Sequence, residues 1–401
     1  MKILMLGWEL PPHNSGGLGV ACYHMCKHLA RRNVAIDFVL PYQPPQQLGF
    51  MKLHGALPLT AEQLSLGGGA YDSACFACTT TNCPHTNSLA DVQQRYTTFV
   101  EQLVEQTEYH AIHAHDWLTF AAGMSAKQRS GLPLIAHVHA TEFDRAGNNR
   151  GNELVHQIEQ SALHMADAVI AVSELTKATL VREYGLPADK IKVVHNGIDL
   201  SDIATPDPHN SYRYLQTMKG LGYKVVVSLG RLSLQKGIPH LLRAAAKALQ
   251  KDQKLLFLIV GDGEMRDQII QQAAELGISQ HVIFTGFLRG KQWRDSYAIG
   301  DMFVMPSVSE PFGLTALEAA SYGNAVLLSK QSGVSEVLHN TMQFDFWDTD
   351  RLADQLVALA AHPSLHSVLT ANARHELHGL NWQKAAQTFE SIYAAHKAVT
   401  V

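Results

Sequence analysis

Long apolar runs are missing from this chain of 401 residues, and none approaches the ~20 residues needed to span a bilayer. Charge of one sign is equally scarce, because 32 Lys plus Arg stand against 36 Asp plus Glu, a net charge of −4. A phosphate-backbone binder needs a basic excess, so the composition argues against nucleic acid as a partner. Cysteine is sparse and odd in number, five in all. Cys22 and Cys26 fall in one expected helix and Cys75, Cys78 and Cys83 in one loop, which is no disulfide framework for a chain of this size. The N-terminal MKILMLGW carries no basic n-region, long apolar core or small-residue cleavage site. It reads as a first strand, and the expected location is the cytoplasm. Charged residues make up 17%, below the ~25% of a typical soluble domain, which leaves peripheral membrane contact open. Arg31, Arg32, Lys127, Arg129, Arg145 and Arg150 nevertheless form no basic amphipathic helix.

What is present is a regular alternation of short β-rich apolar runs and amphipathic helices, the pattern of βαβ units and parallel sheets. Strands are expected near 2–7, 34–40, 111–115, 133–139, 168–172 and 191–195, with a helix over 18–31 whose buried stripe includes Ala21, Cys22, Met25, Cys26 and Leu29. A polar, aperiodic stretch from Ser201 to Asn210, with Pro206 and Pro208, then marks a boundary. A second series follows, with strands near 223–230, 255–261, 281–285, 301–305 and 324–329 and helices near 237–250, 264–276, 313–322 and 350–361. The fold class is therefore α/β, two Rossmann-like domains in tandem. The expected domains are 1–200 and 201–380, with a terminal helix in 381–401 that returns to the first domain. Its apolar positions Ala385, Phe389, Ile392 and Tyr393 recur at helical spacing.

Ligands of such sheets bind beyond the carboxyl ends of the strands, where helix N-termini favour anions. The first strand runs into Gly16-Gly17-Leu18-Gly19, a turn that brings backbone close to a ligand, but without the spacing of the dinucleotide fingerprint. The strand near 223–230 runs into Gly230-Arg231-Leu232-Ser233-Leu234-Gln235-Lys236-Gly237, where a guanidinium fork and a mobile ammonium can clamp a diphosphate. Beyond 301–305 lie Glu310, then Phe312-Gly313-Leu314 at a helix start, then Glu318. Carboxylates beside open amides suit a polyhydroxylated, phosphorylated ligand.

These motifs occur in order with His-Ala-His-Asp-Trp at 113–117, His139-Ala140-Thr141-Glu142, Val194-His195-Asn196-Gly197-Ile198-Asp199 and Gly261-Asp262-Gly263. Together they closely resemble the retaining GT-B glycosyltransferases of family 4, with features shared by glycogen and starch synthases. The resemblance implies two Rossmann-like domains facing across a cleft, a nucleotide-diphosphate-sugar donor of UDP- or ADP-glucose type, a saccharide or small-molecule acceptor, and no cofactor or metal.

It implies roles residue by residue. Arg231 and Lys236 hold the diphosphate and stabilise charge on the leaving nucleotide. Glu318 accepts from ribose hydroxyls, and Glu310 contacts the sugar. The Phe312, Gly313 and Leu314 amides meet sugar and phosphate oxygens, Gly261 lies on the donor side, and Gly16 and Gly17 let their loop approach the phosphates. His139 meets the transferred sugar, although His137 shares its strand face by period 2. Asp116 and Trp117 follow a strand end and are assigned to the acceptor side with Glu142 and Arg145; for Asp116, capping of a helix over 118–129 is the competing reading.

The chain departs from the ADP-glucose synthases in having Asn14-Ser15 where they carry Lys-x before the paired glycines. That counts against α-glucan elongation, which stays as an alternative. Cys75-x2-Cys78-x4-Cys83-x-His85 has ligand types for zinc but no second paired motif. Two other classes remain: a nucleotide-sugar epimerase, which has no need of the Glu310–Glu318 pair, and a silent sugar-nucleotide-binding subunit, which has no need to keep Glu310, Lys236 and His139.

Overall fold

The computed structural model describes residues 1–13, 16–45, 47–61, 64, 88–203, 207 and 209–396. Asn14, Ser15 and the Cys75, Cys78, Cys83 and His85 segment lie outside them.

The chain forms two compact units, one of Met1–Phe143, Arg150–Asn196 and Trp382–Val401, the other of Asp144–Asn149 and Gly197–Asn381. The first is built on seven parallel strands, β1 (Lys2–Leu6), β2 (Ala35–Leu40), β3 (Lys52–Gly55), β4 (Ala111–His115), β5 (Leu134–Val138), β6 (Ala168–Ala171) and β7 (Ile191–Val193), in the order 3-2-1-4-5-6-7. β1, β4, β5 and β6 are buried almost throughout, as expected of a parallel sheet covered on both faces. The chain order reverses beside β1, the switch point at which a doubly wound sheet opens a crevice for ligand.

The second unit carries β8 (Lys224–Leu229), β9 (Leu255–Val260), β10 (Val282–Phe284), β11 (Met302–Met305), β12 (Ala325–Ser329) and β13 (Met342–Phe344), all parallel, in the order 10-9-8-11-12-13. Here β8 and β11 flank the switch point. The loops after those two strands carry Arg231, Lys236 and Glu310.

The expected α/β architecture is thus observed, with strand bounds within two residues of the sequence reading. Two edge strands escaped it. β3 and β13 have four and three residues and, unlike the equally short β7 and β10, contain no β-branched residue to mark them. The helix Leu89–Gln106 also went unread, although Leu89, Val92, Tyr96, Val100 and Val104 line its buried side and the Ser88 hydroxyl accepts from the Asp91 amide at 3.1 Å.

The terminal helix spans Trp382–Ala395 and packs in the first unit. Trp382, Ala385, Ala386, Phe389, Ile392 and Tyr393 are its buried side chains. Glu390 pairs with Arg32 at 2.6 Å, and the Tyr393 hydroxyl lies 2.7 Å from His113 Nδ1 on β4. No described helix is long and apolar enough to cross a membrane.

Candidate functional site

In the second unit, Gly230–Gly237 follows β8 and the loop Pro306–Gly313 follows β11. Lys236 Nζ donates to Glu310 Oε2 at 2.6 Å, and Ser307 Oγ donates to the same oxygen at 3.1 Å. Glu310 is 7% exposed and its backbone is held on both sides, its amide donating to Gln331 O and its carbonyl accepting from the Gly333 amide, each at 2.9 Å. Its backbone is therefore anchored to the loop after β12, which limits the directions its carboxylate can take.

The close passage of Lys236's loop past the β11 loop depends on Gly237. Its φ is +65°, and a Cβ there would stand 2.0 Å from the Pro306 carbonyl oxygen. Gly261 after β9 is constrained in the same way: φ is +138°, and a Cβ would meet the Gly230 carbonyl at 1.9 Å. Arg231 Nε donates to Glu264 at 3.2 Å, and the Leu232 amide donates to Asp262 O at 2.9 Å, joining the Arg231 loop to the loop behind Gly261. Both expected phosphate cations are thus pre-positioned by carboxylates.

Gly313 caps the helix Leu314–Ser321 without any side chain supplying a cap bond. The first amides of a helix have no partner within it and carry its positive end, so this terminus suits an anion or an electron-rich oxygen. Phe312 is buried. One turn on, Glu318 Oε2 accepts from the Tyr297 hydroxyl at 2.7 Å. Burial pushes the Glu318 carboxyl up to about 7, with the Tyr297 hydrogen bond acting in the opposite direction. Its other oxygen lone pairs are the ones available to a ligand hydroxyl. Of the acceptor-side candidates, Arg145 belongs to the short segment that groups with this unit, where Asp144 accepts from Ser309 Oγ at 2.6 Å.

In the first unit, the helix Gly17–Ala30 starts behind Gly16. Gly16 has an extended φ of −160°, and a Cβ there would meet nothing within 4 Å. Neither backbone nor packing demands glycine, which leaves room for an approaching ligand as its use. Glu9 reaches over this turn and accepts from the Gly19 amide at 3.3 Å.

Asp116 sits at the N-cap of the helix Trp117–Ser130 but makes no side-chain cap bond. Its carboxylate instead accepts from the backbone amides of His139, at 2.7 Å, and Ala140, at 3.4 Å. The capping reading is corrected accordingly: Asp116 ties the end of β4 to the end of β5. It does so with a φ of +56°, unfavourable for a non-glycine residue and of the kind that collects at functional sites. Trp117 is buried at the helix start, and Glu142 accepts from the Asn152 amide at 2.8 Å.

His139 is the first residue past β5, and its Nε2 lies 3.0 Å from His115 Nδ1. Four histidines stack here. Ring centroids are 4.4 Å apart for His113 and His115 and 4.1 Å for His137 and His139, and His113 Nε2 is 3.2 Å from His137 Nδ1. Loss of water pushes the His113 and His139 imidazoles down to about 3 and those of His115 and His137 well below their ordinary value, so all four are neutral. By period 2 alone, His137 and His139 share one strand face and are not joined to His113 and His115. The signal was there in the repeated His-x-His of two strands, but only the β4–β5 register, which sets His115 opposite His137, joins them.

Two parallel α/β sheets, the second with the Lys236–Glu310 pair beyond its carboxyl ends, are the architecture of the GT-B class. Residues 15–202 match the description Glycosyltransferase Family 4 and residues 216–376 match Glycosyl transferases group 1. An uncharacterized glycosyltransferase of Methanocaldococcus jannaschii is 27% identical, covering 98% of each chain. A glycogen synthase of Mycobacterium tuberculosis is 25% identical over 99% of this chain and 95% of its own. The Anabaena HepE structure in complex with UDP-glucose, 19% identical, superposes with a TM-score of 0.72 over 98% of this chain and all of that one. The chain belongs to the group 1 glycosyltransferases of GT-B fold and is a transferase.

Proposed function

We propose that the protein transfers a hexose from a nucleotide-diphosphate sugar of UDP- or ADP-glucose type to a saccharide or small-molecule acceptor, with retention of anomeric configuration and without a metal ion. The observation that carries this is the Lys236–Glu310 pair at 2.6 Å beside the uncapped start of the helix Leu314–Ser321. Lys236 and Arg231 take the place of a cation on the diphosphate, and their charge grows in value as the phosphate–sugar bond breaks. The amides of Phe312, Gly313 and Leu314 meet sugar and phosphate oxygens, while Glu318 accepts from the ribose. Glu310 serves the sugar hydroxyls and holds Lys236 in place.

In the transfer step, the bond from C1 to the phosphate oxygen breaks and the acceptor oxygen bonds C1 on the same face. The acceptor proton passes to the departing phosphate oxygen, so no protein base is required. We assign His139 to the transferred sugar. Its Nε2 is engaged by His115 and its amide by Asp116, so Nδ1 is the polar ring atom it can offer. Buried free thiols at Cys22 and Cys26 fit a reducing compartment, and we place the enzyme in the cytoplasm.

The test is a panel of UDP-, ADP- and GDP-sugars assayed with and without EDTA for nucleotide release and for product anomer. Release from one donor, not lost on addition of EDTA and giving the α-product from an α-donor, is expected. An inverted anomer, dependence on a divalent ion, epimerised donor or no release under any condition overturns the reading. Elongation of an α-glucan primer in the same panel would assign the glycogen-synthase-like alternative.

A further inference from the structure

We propose that Cys22, His115 and His139 form a binding site for a borderline-soft divalent transition ion of the Zn2+ type. One ligand atom from each of the three lies within 4.8 Å of the others. They come from three elements of one unit: the helix Gly17–Ala30, the end of β4 and the first position past β5.

The His115–His139 pair is nearly set for an ion. Its ring nitrogens are 3.0 Å apart, and a tetrahedral Zn2+ at ~2.0–2.1 Å from each requires a separation of about 3.3 Å. His115 places its other nitrogen 3.0 Å from Met5 Sδ, a weak acceptor that leaves the Nδ1 lone pair toward His139. Asp116 accepts from the His139 backbone amide at 2.7 Å, which fixes the main chain that carries this imidazole.

The surroundings select a cation over an anion. Glu9 and Asp116 place two buried carboxylates in the same unit. On binding, the Cys22 thiol proton leaves for solvent and a sulfur–metal bond replaces the S–H bond. Cys22 and His115 are fully buried while His139 is partly exposed, which supplies an entry path and an open fourth position. The neighbouring set of His113, His115 and His137 also meets the distance condition, but it contains no thiol and all three members are buried. Since we assign His139 to the sugar, an ion here inhibits transfer; that consequence alone rests on the proposed function.

The experiment titrates the full-length, EDTA-stripped chain with Co2+, reading the thiolate-to-metal band in the near ultraviolet, and then displaces it with Zn2+. One ion per chain with a thiolate band is expected. Cys22→Ser removes the band, and His115→Ala or His139→Ala weakens binding at least ~10-fold. A variant with Cys75, Cys78 and Cys83 all changed to Ser keeps the band, as does Cys26→Ser. Absence of the band in the unaltered chain, its survival in Cys22→Ser, its loss in the triple variant, or weakening by His137→Ala in place of Cys22→Ser overturns the assignment. Circular dichroism of each metal-free variant verifies that the fold is retained, and the partly exposed His139 gives the variant least exposed to folding failure.

Discussion

Lys236 and Glu310, 74 residues apart, meet at 2.6 Å because parallel pairing of β8 with β11 brings the loops after both strands together. Each group then needs the other: the carboxylate is 7% exposed, and an unpaired charge there is costly. Lys236→Ala and Glu310→Gln are expected to lower kcat by roughly 100-fold or more each. The double variant loses far less than the product of the two, since both remove one coupled device. Steady-state kinetics on the four proteins of this cycle measures the coupling, and independent, multiplicative losses would contradict it.

Glu318 confers a pH dependence. Its carboxyl titrates near 7 in the folded chain against an ordinary value of 4.5, so the folded state holds a proton that the unfolded state has lost between those limits. Stability contributed by this group is complete below about 4.5 and declines as pH rises through about 7. Nucleotide binding runs the other way, because the ionised carboxylate is the better acceptor for ribose hydroxyls. Affinity is therefore expected to increase with pH through about 7, by at most ~10-fold per unit, and to lose that slope in Glu318→Gln. Isothermal titration with the nucleotide from pH 5.5 to 8.5 checks it, and identical slopes in both proteins would refute it.

Gly16 separates ligand from fold. With an extended φ and empty space where a Cβ would go, Gly16→Val is expected to unfold at a denaturant midpoint close to that of the parent. Donor turnover in the same variant should fall ~10-fold or more, because the branched side chain fills the approach to the backbone. A large loss of stability, or full activity, would count against this use of the glycine.

Asp116 carries two backbone amides at the end of β5, and removing its carboxylate leaves them without that acceptor. Asp116→Ala is expected to cost about 1–3 kcal/mol in urea unfolding. Asp116→Asn should cost less, since its carbonyl can still accept and Asn tolerates positive φ. Equal losses in the two variants would show that the negative charge, and not the hydrogen bonds, is what the site requires.

By itself the sequence determined the class of fold, the order of its elements and the motifs that matter. Hydrophobic period and turn residues are local, and Gly230–Gly237 and Glu310–Glu318 are contiguous signatures read without any contact map. The edge strands β3 and β13, Lys-Leu-His-Gly and Met-Gln-Phe, were beyond it, because they carry no β-branched residue and their pairing comes from the neighbouring strand. Tertiary structure alone decided that Asp116 supports His139 instead of capping its helix, that Lys236 is held by Glu310, and that burial against Tyr297 shifts Glu318. It also decided that two His-x-His runs become one stacked cluster beside Cys22. The reason is the same in each case: strand register and desolvation act between residues far apart in the chain, and neither leaves a trace in the spacing of the letters.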